Sequence, residues 1–187
     1  MIRDNGDCGS MTFVIQDAIP DDDDGIRYVQ HQTWLATYPN EELGITREDI
    51  NARFVNVDRA TLSRRITNKQ RINTDPSQHI WIAKEEQNIV GFCIAIKETF
   101  SGHVQAIYVL PAYQGRGIGR GLLQTALDWL GDRWPVTLAV ATYNKKAMAF
   151  YRTFGFEINR EFAKNSVAQL PSGVTIPQIE MVRPGTL

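Results

Sequence analysis

The stretch from His103 to Ala141 constrains the fold more than any other. His103-Val104-Gln105-Ala106-Ile107-Tyr108-Val109-Leu110 is rich in β-branched and aromatic residues and reads as a strand, which Pro111 ends. A glycine-rich loop follows, Gln114-Gly115-Arg116-Gly117-Ile118-Gly119-Arg120-Gly121. It leads into a helix over about 117–131, with Ile118, Leu122, Leu123, Ala126, Leu127 and Leu130 on one face. Pro135 then introduces Val136–Ala141, a near-continuous apolar run of the kind buried on both faces. A strand–helix–strand crossover makes its two strands parallel and is almost always right-handed.

The flanking segments predict a sheet that is otherwise antiparallel. Ile80–Ala83 and Ile89–Ile96 bracket the polar turn Glu85-Glu86-Gln87-Asn88 as a hairpin. Thr12–Gln16 reads as a first strand, Phe156 begins another, and a last one is expected around Thr175–Val182. Asn144 opens a helix through Phe154, with Gly155 where a left-handed cap would sit. The run Asp21–Asp24 follows Pro20 and suits the first turn of a helix carrying Ile26, Val29, Trp34 and Leu35; its alternative is capture of a cationic substrate. Thr46, with Asp49 three residues on, opens a second helix, Asp58 caps a third, and 68–77 reads as a loop. The expected class is α/β (α+β): a mixed, mostly antiparallel central sheet of about seven strands, with helices on both faces and one β-α-β crossover. Residues 1–10 read as a disordered tail or cloning remnant, and 11–187 as one domain.

Bulk properties remove several functional classes. The chain has 187 residues, 43% of them hydrophobic, enough for a core without disulfide or metal staples. A net charge of −1 gives no global basic footprint for nucleic acid. The run Ile89–Ile96 is far short of the roughly 20 residues that span a bilayer. With only Cys8 and Cys93 and no secretory signal, a reducing cytoplasm is the expected location, and no metal site is expected. An edge strand near the C-terminus is left either to pair with a second subunit or to stay capped.

The glycine loop is an anion-binding turn by its chemistry. Glycines clear side chains so that successive N–H groups can close on an anion, and the helix N-terminus adds partial positive charge there. Arg116 and Arg120, a turn apart, could add charge-assisted contacts. A Walker loop is excluded because no GxxxxGK is present. A GxGxxG fingerprint fails too: from Gly115 the third position is Arg120, and from Gly117 it is Leu122. Nor does any carboxylate lie between Arg133 and Phe156 to bind a ribose.

The loop resembles the hallmark Q/R-x-x-G-x-G/A of the GCN5-related N-acetyltransferases, matched by Gln114, Gly117 and Gly119. The preceding Tyr108–Tyr113 is similar to that family as well. So is Asn144–Phe156, with its asparagine, its Phe150-Tyr151 pair and its closing Gly155-Phe156. Trp34-Leu35-Ala36-Thr37-Tyr38 looks like the W-x-x-T-Y of many small bacterial members.

The resemblance implies a transferase that moves acetyl from acetyl-CoA to a primary amine of a small molecule or peptide, by direct attack in a ternary complex. It implies a pyrophosphate on the amides of the loop (Gln114, Gly115, Arg116, Gly117, Ile118, Gly119, Arg120), a pantetheine arm beside Tyr108 and Val109, and Asn144 and Lys146 near the nucleotide. The Val109 N–H would be the oxyanion donor and Tyr151 the acid for the leaving thiolate. The family's frequent carboxylate on the fourth strand is missing here, which leaves His103, with an ordinary pKa near 6.5, or water as the base. Trp34 and Tyr38 would line the acceptor pocket, as aromatic surfaces able to cage a cation. The alternative is a catalytically silent CoA-binding sensor.

Overall fold

The computed structural model describes residues 13–55, 63, 67, 69–70, 72–162 and 169–186. The expected elements are present: β1 (Val14–Asp17), α1 (Asp23–Thr37), α2 (Arg47–Val55), β2 (Gln78–Glu85), β3 (Asn88–Lys97), β4 (Gly102–Val109), α3 (Ile118–Leu130), β5 (Val136–Ala141), α4 (Lys145–Arg152), β6 (Glu157–Glu161) and β7 (Gln178–Arg183). One sheet of seven strands runs in the order β1-β2-β3-β4-β5-β7-β6. Every pairing is antiparallel except β4 with β5. The last strand begins at Gln178 rather than near 175, and it inserts between β5 and β6, leaving β6 as an exposed edge.

The strand period of two distributes the core over both faces. Trp81, Ala83, Val90, Cys93, Leu138 and Met181 pack under α3 and α4 with Leu122, Leu123, Ala126 and Phe156. The intervening Ile80, Ile82 and Phe92 meet Ile26 and Val29 of α1. Trp34, Tyr38, Ile45 and Ile50 build a third cluster beside them, with Leu170 and Ile176. Val136, Leu138 and Val140 of β5 are buried as expected, but Ala139 is exposed, because its neighbour β4 has turned away there.

Long-range partners revise several local expectations. Asp22 is buried, accepts from the Ile19 N–H at 2.9 Å and pairs with Lys84 Nζ at 2.9 Å, so this carboxylate holds a lysine of β2 instead of meeting a substrate. Thr46 Oγ1 does accept from the Asp49 N–H, at 3.1 Å, but the Asp49 carboxylate turns to the N–H and hydroxyl of Ser172. Lys69 and Gln70 are helical, so the loop expected from 68 starts later, at the turn that opens with Ile72. Asp58 and Cys8 lie outside the described residues.

Candidate active site

Strand β4 is bulged and then abandoned, and both events shape the site. Its register with β3 slips where Ile94 faces Ala106 and Ala95 faces Val104, leaving Gln105 without an opposite residue. Pairing with β5 covers only Gly102–Val104 against Val136–Leu138. Beyond Val104 the parallel strands separate. Leu110 donates to Val90 O at 2.9 Å. In an antiparallel ladder successive residues alternate between facing the partner and facing away. The peptide groups of Val109 and Ile107 therefore face the side that β5 has left.

A cavity of about 520 Å³ fills this split. From the α1 face it is lined by Thr33, Thr37, Tyr38 and Tyr108, and from the other face by Val109, Gly115, Gly117, Gly119, Arg120, Asn144, Lys146, Phe150 and Tyr151. Its floor includes Val104, Gln105 and Leu138–Val140. The cavity thus reaches both sides of the sheet where β4 and β5 part.

The glycine loop ends this cavity with unpaired donors. Among the described residues, the N–H groups of 115–120 donate to no backbone or side-chain acceptor; the first to do so is Gly121, to Gly117 O at 2.9 Å. Three of them are the first-turn amides any helix leaves free, and the loop adds the rest. Gly115 and Gly117 have φ of 81° and 86°, a region costly to residues with a Cβ. A Cβ on Gly119 would meet only Phe150 and Val109, both at 3.8 Å, so no protein contact demands glycine there. The face it leaves bare is the one a ligand would approach. Six clustered amides at a helix N-terminus fit a diphosphate.

Neighbouring side chains fix the rim. Gln114 Nε2 donates to Val109 O at 3.1 Å, and Lys146 Nζ donates to Gln114 Oε1 at 2.8 Å. The Asn144 side chain caps α4 by accepting from the Ala147 N–H at 3.1 Å. Arg120 stands against the Phe154 ring, 5.0 Å from its centroid. Ile118 offers only its N–H, since its side chain is in the core.

Three phenols, those of Tyr38, Tyr108 and Tyr151, line the interior. Tyr38 and Tyr108 hydroxyls lie 3.3 Å apart, and Tyr143 Oη donates to Tyr38 O at 2.8 Å. Burial raises the pKa of Tyr38, Tyr108 and Tyr151, and pushes that of Tyr143 up to about 12. All four therefore stay protonated through neutral pH.

Three expected residues are elsewhere. His103 does not line the cavity; it sits at the still-paired end of β4, where Nδ1 lies 3.0 Å from Thr137 Oγ1. Burial lowers its pKa, against a partial upward pull from Glu98 and Glu180. Arg116 is ion-paired to Glu85 and stands 5.2 Å from the Tyr113 ring centroid, which directs it away from the anion turn. Trp34 is core, edge-on to Tyr38 at 4.8 Å, and its face is already covered by Arg53 at 5.1 Å. Sequence reading missed Thr33 and Thr37, which line the cavity; their spacing of four along one helix was the available signal.

Comparison with known proteins agrees with this architecture. Residues 44–156 match the family model described as Acetyltransferase (GNAT) family. The chain is 40% identical over 86 residues to N-alpha-acetyltransferase RimI of Mycobacterium tuberculosis, covering 44% of this chain and 54% of that protein. It is 31% identical over 84 residues to peptidyl-lysine N-acetyltransferase YjaB of Salmonella typhimurium, covering 44% and 53%. The chain thus spans about half the length of these curated relatives. Its fold superposes on the crystal structure of PaiA N-acetyltransferase from Thermoplasma acidophilum in complex with coenzyme A, with a TM-score of 0.68, 18% identity, and coverage of 93% of this chain and 99% of that one.

Proposed function

The chain belongs to the acetyltransferase (GNAT) family, and from that premise we propose that residues 11–187 form an acyltransferase domain that moves acetyl from acetyl-CoA to a primary amine of a peptide or small molecule in a ternary complex. One observation carries the reading: the amides of 115–120 have no acceptor among the described residues, and Gly115, Gly117, Gly119 and Arg120 of that turn line the cavity in the sheet. The supporting names, an Nα-acetyltransferase, a lysine acetyltransferase and a fold relative crystallised with coenzyme A, belong to similar proteins.

The donor substrate supplies an activated acetyl group as a thioester. The chain's own groups do the rest. The amides of 115–120 would hold the diphosphate, with Arg120 and Lys146 at the same rim. The peptide group of Ile107 offers strand-like hydrogen bonds to the pantetheine arm, and the Val109 N–H, whose own carbonyl is held by Gln114, is the donor for negative charge developing on the acetyl oxygen. Tyr151, kept neutral by burial, can give its proton to the departing thiolate. A buried free thiol at Cys93 fits a reducing cytoplasm.

The test is direct. The purified protein is titrated calorimetrically with acetyl-CoA and then incubated with an amine panel while free thiol is measured. Saturable binding with amine-dependent thiol release is expected. Binding without release under any amine leaves a silent binding module, and no binding removes the reading.

A further inference from the structure

We infer that the bulge in β4 sets the Gln105 carboxamide in the cavity as the group that orients the acceptor amine. This rests on the acyltransferase reading above and deepens it by assigning the residue on which the amine is seated.

The bulge decides where the amide goes. Val104 packs into the core under α3, so Gln105, next along the strand, lies on the opposite, α1 face. The register slip then places Ala106 on that same face, against the cluster that holds Ile26, Val29 and Phe92. Two successive side chains therefore point to the α1 side, a long polar one and a methyl. Gln105 is exposed, Ala106 is half-buried, and both line the cavity. Ala139, just past the last paired residues Val104 and Leu138, is exposed and lines it too. The result is a recess floored by two methyls. At one end stands the Gln105 amide, and at the other the Tyr108 hydroxyl, 3.3 Å from that of Tyr38.

The amine reaches this recess because a donor anchored on the glycine turn, at the start of α3, leaves the α1 side of the cavity for the second substrate. The nitrogen lone pair forms the N–C bond, and the C–S bond breaks with its electrons on sulfur. Tyr151 protonates the thiolate, the proton lost by nitrogen passes to water, and Tyr151 is reprotonated from water. As the N–C bond forms, nitrogen becomes positive. An N–H donated to Gln105 Oε1 then turns into a charge-assisted bond, stronger in the transition state than in the bound amine. Being neutral, the amide does this without stabilising the unreactive ammonium form, as a carboxylate in its place would. The titratable neighbours are Tyr38, Tyr108 and Tyr151, which burial keeps protonated. Along the same sheet face stand His103, bonded to Thr137, and Glu180, opposite Ala139 and bonded to Arg160 and Asn159.

The experiment uses the full chain, acetyl-CoA and three acceptor probes: an octapeptide with a free N-terminus, Nα-acetyl-lysine amide and spermidine. Thiol release across the pH range gives kcat and KM for each probe turned over. Calorimetry gives acetyl-CoA affinity, and thermal melts check that the variants fold. Gln105→Leu, similar in size but without hydrogen bonds, should lower kcat/KM for the amine by about ten- to hundred-fold, as for a bond to a charged group, with acetyl-CoA affinity unchanged. Gln105→Glu should move the acid limb of the kcat profile to higher pH by about one unit, because a carboxylate holds the ammonium form. A merely structural residue would leave that limb in place. Ala139→Leu, at an exposed position of the floor, should raise the amine KM without moving the limb. Wild-type kinetics in Gln105→Leu, or an unmoved limb in Gln105→Glu, overturns the inference while the acyltransferase reading stands. An unchanged amine KM in Ala139→Leu removes the recess as the seat. If the wild-type protein acetylates none of the probes, both readings fall together.

Discussion

The Gln114 side chain grips the carbonyl of Val109, Nε2 to O at 3.1 Å, at the point where β4 has lost its parallel neighbour. This bond satisfies an acceptor that strand β5 would otherwise have served, and it fixes the peptide plane whose N–H faces the cavity. The same amide accepts from Lys146 at 2.8 Å, so one side chain ties the end of β4 to the start of α4.

Gln114→Ala should therefore act on two levels. Loss of the bond to a half-buried carbonyl should lower stability by about 1–2 kcal/mol, read by urea denaturation. Acetyl-CoA affinity should fall as well, because the rim loses its link to Lys146. Unchanged stability and affinity would show the bridge to be incidental.

Gly117→Glu should abolish acetyl-CoA binding. It places a carboxylate at the amide cluster and forces a side chain into positive φ, which alone costs about 1–2 kcal/mol. Gly117→Ala isolates that conformational cost without adding charge. Calorimetry on both separates strain from repulsion, and near-wild-type binding by the glutamate variant would place the anion elsewhere.

Tyr151→Phe should reduce kcat by about 10²-fold, in the range of general acid catalysis, with little change in acetyl-CoA affinity. Burial raises the phenol's pKa, so the proton-donating form persists as pH rises. The wild-type rate should thus show no alkaline loss from Tyr151 between pH 6 and 9. An unaltered turnover in the phenylalanine variant would exclude the role.

Glu85→Gln should leave Arg116 without its ion-pair partner, in a site where Glu85 is 12% exposed. A loss of about 1–3 kcal/mol is expected for a charge-assisted contact. Acetyl-CoA affinity should move by less than about two-fold, since Arg116 does not line the cavity. A large gain in affinity would mean that Glu85 restrains a phosphate-binding arginine.

His103 makes stability depend on pH on the acid side. Burial lowers its folded pKa below the ordinary 6.5, so the unfolded chain binds the proton first as pH falls. Stability should drop as pH falls through 6.5 toward the folded value, and be unaffected by this group above it. His103→Gln should flatten that part of a melting-temperature profile between pH 5 and 8. An identical slope in the variant would show that the imidazole is not the group responsible.

Much of the frame was legible because it is local. The four-glycine loop between an apolar strand and an amphipathic helix specified the crossover, Asn144 specified a helix start, and the hairpin across Glu86-Gln87 followed from two apolar runs and a polar turn. The placing of β7 between β5 and β6 was not legible, since nothing within either strand names its neighbour. Nor was the bulge at Gln105, which shifts the alternation in β4 so that Val104 and Val109 share a face.

The sequence alone determined which backbone segments are helical, extended or able to take positive φ, because those preferences are settled within a turn of chain. Only the tertiary structure decided which charges are already taken. Arg116 finds Glu85 from 31 residues away, and Asp22 finds Lys84 across the gap from α1's entry to β2. A side chain's freedom to bind a ligand depends on what distant chain has been folded against it, and residue identity does not carry that information.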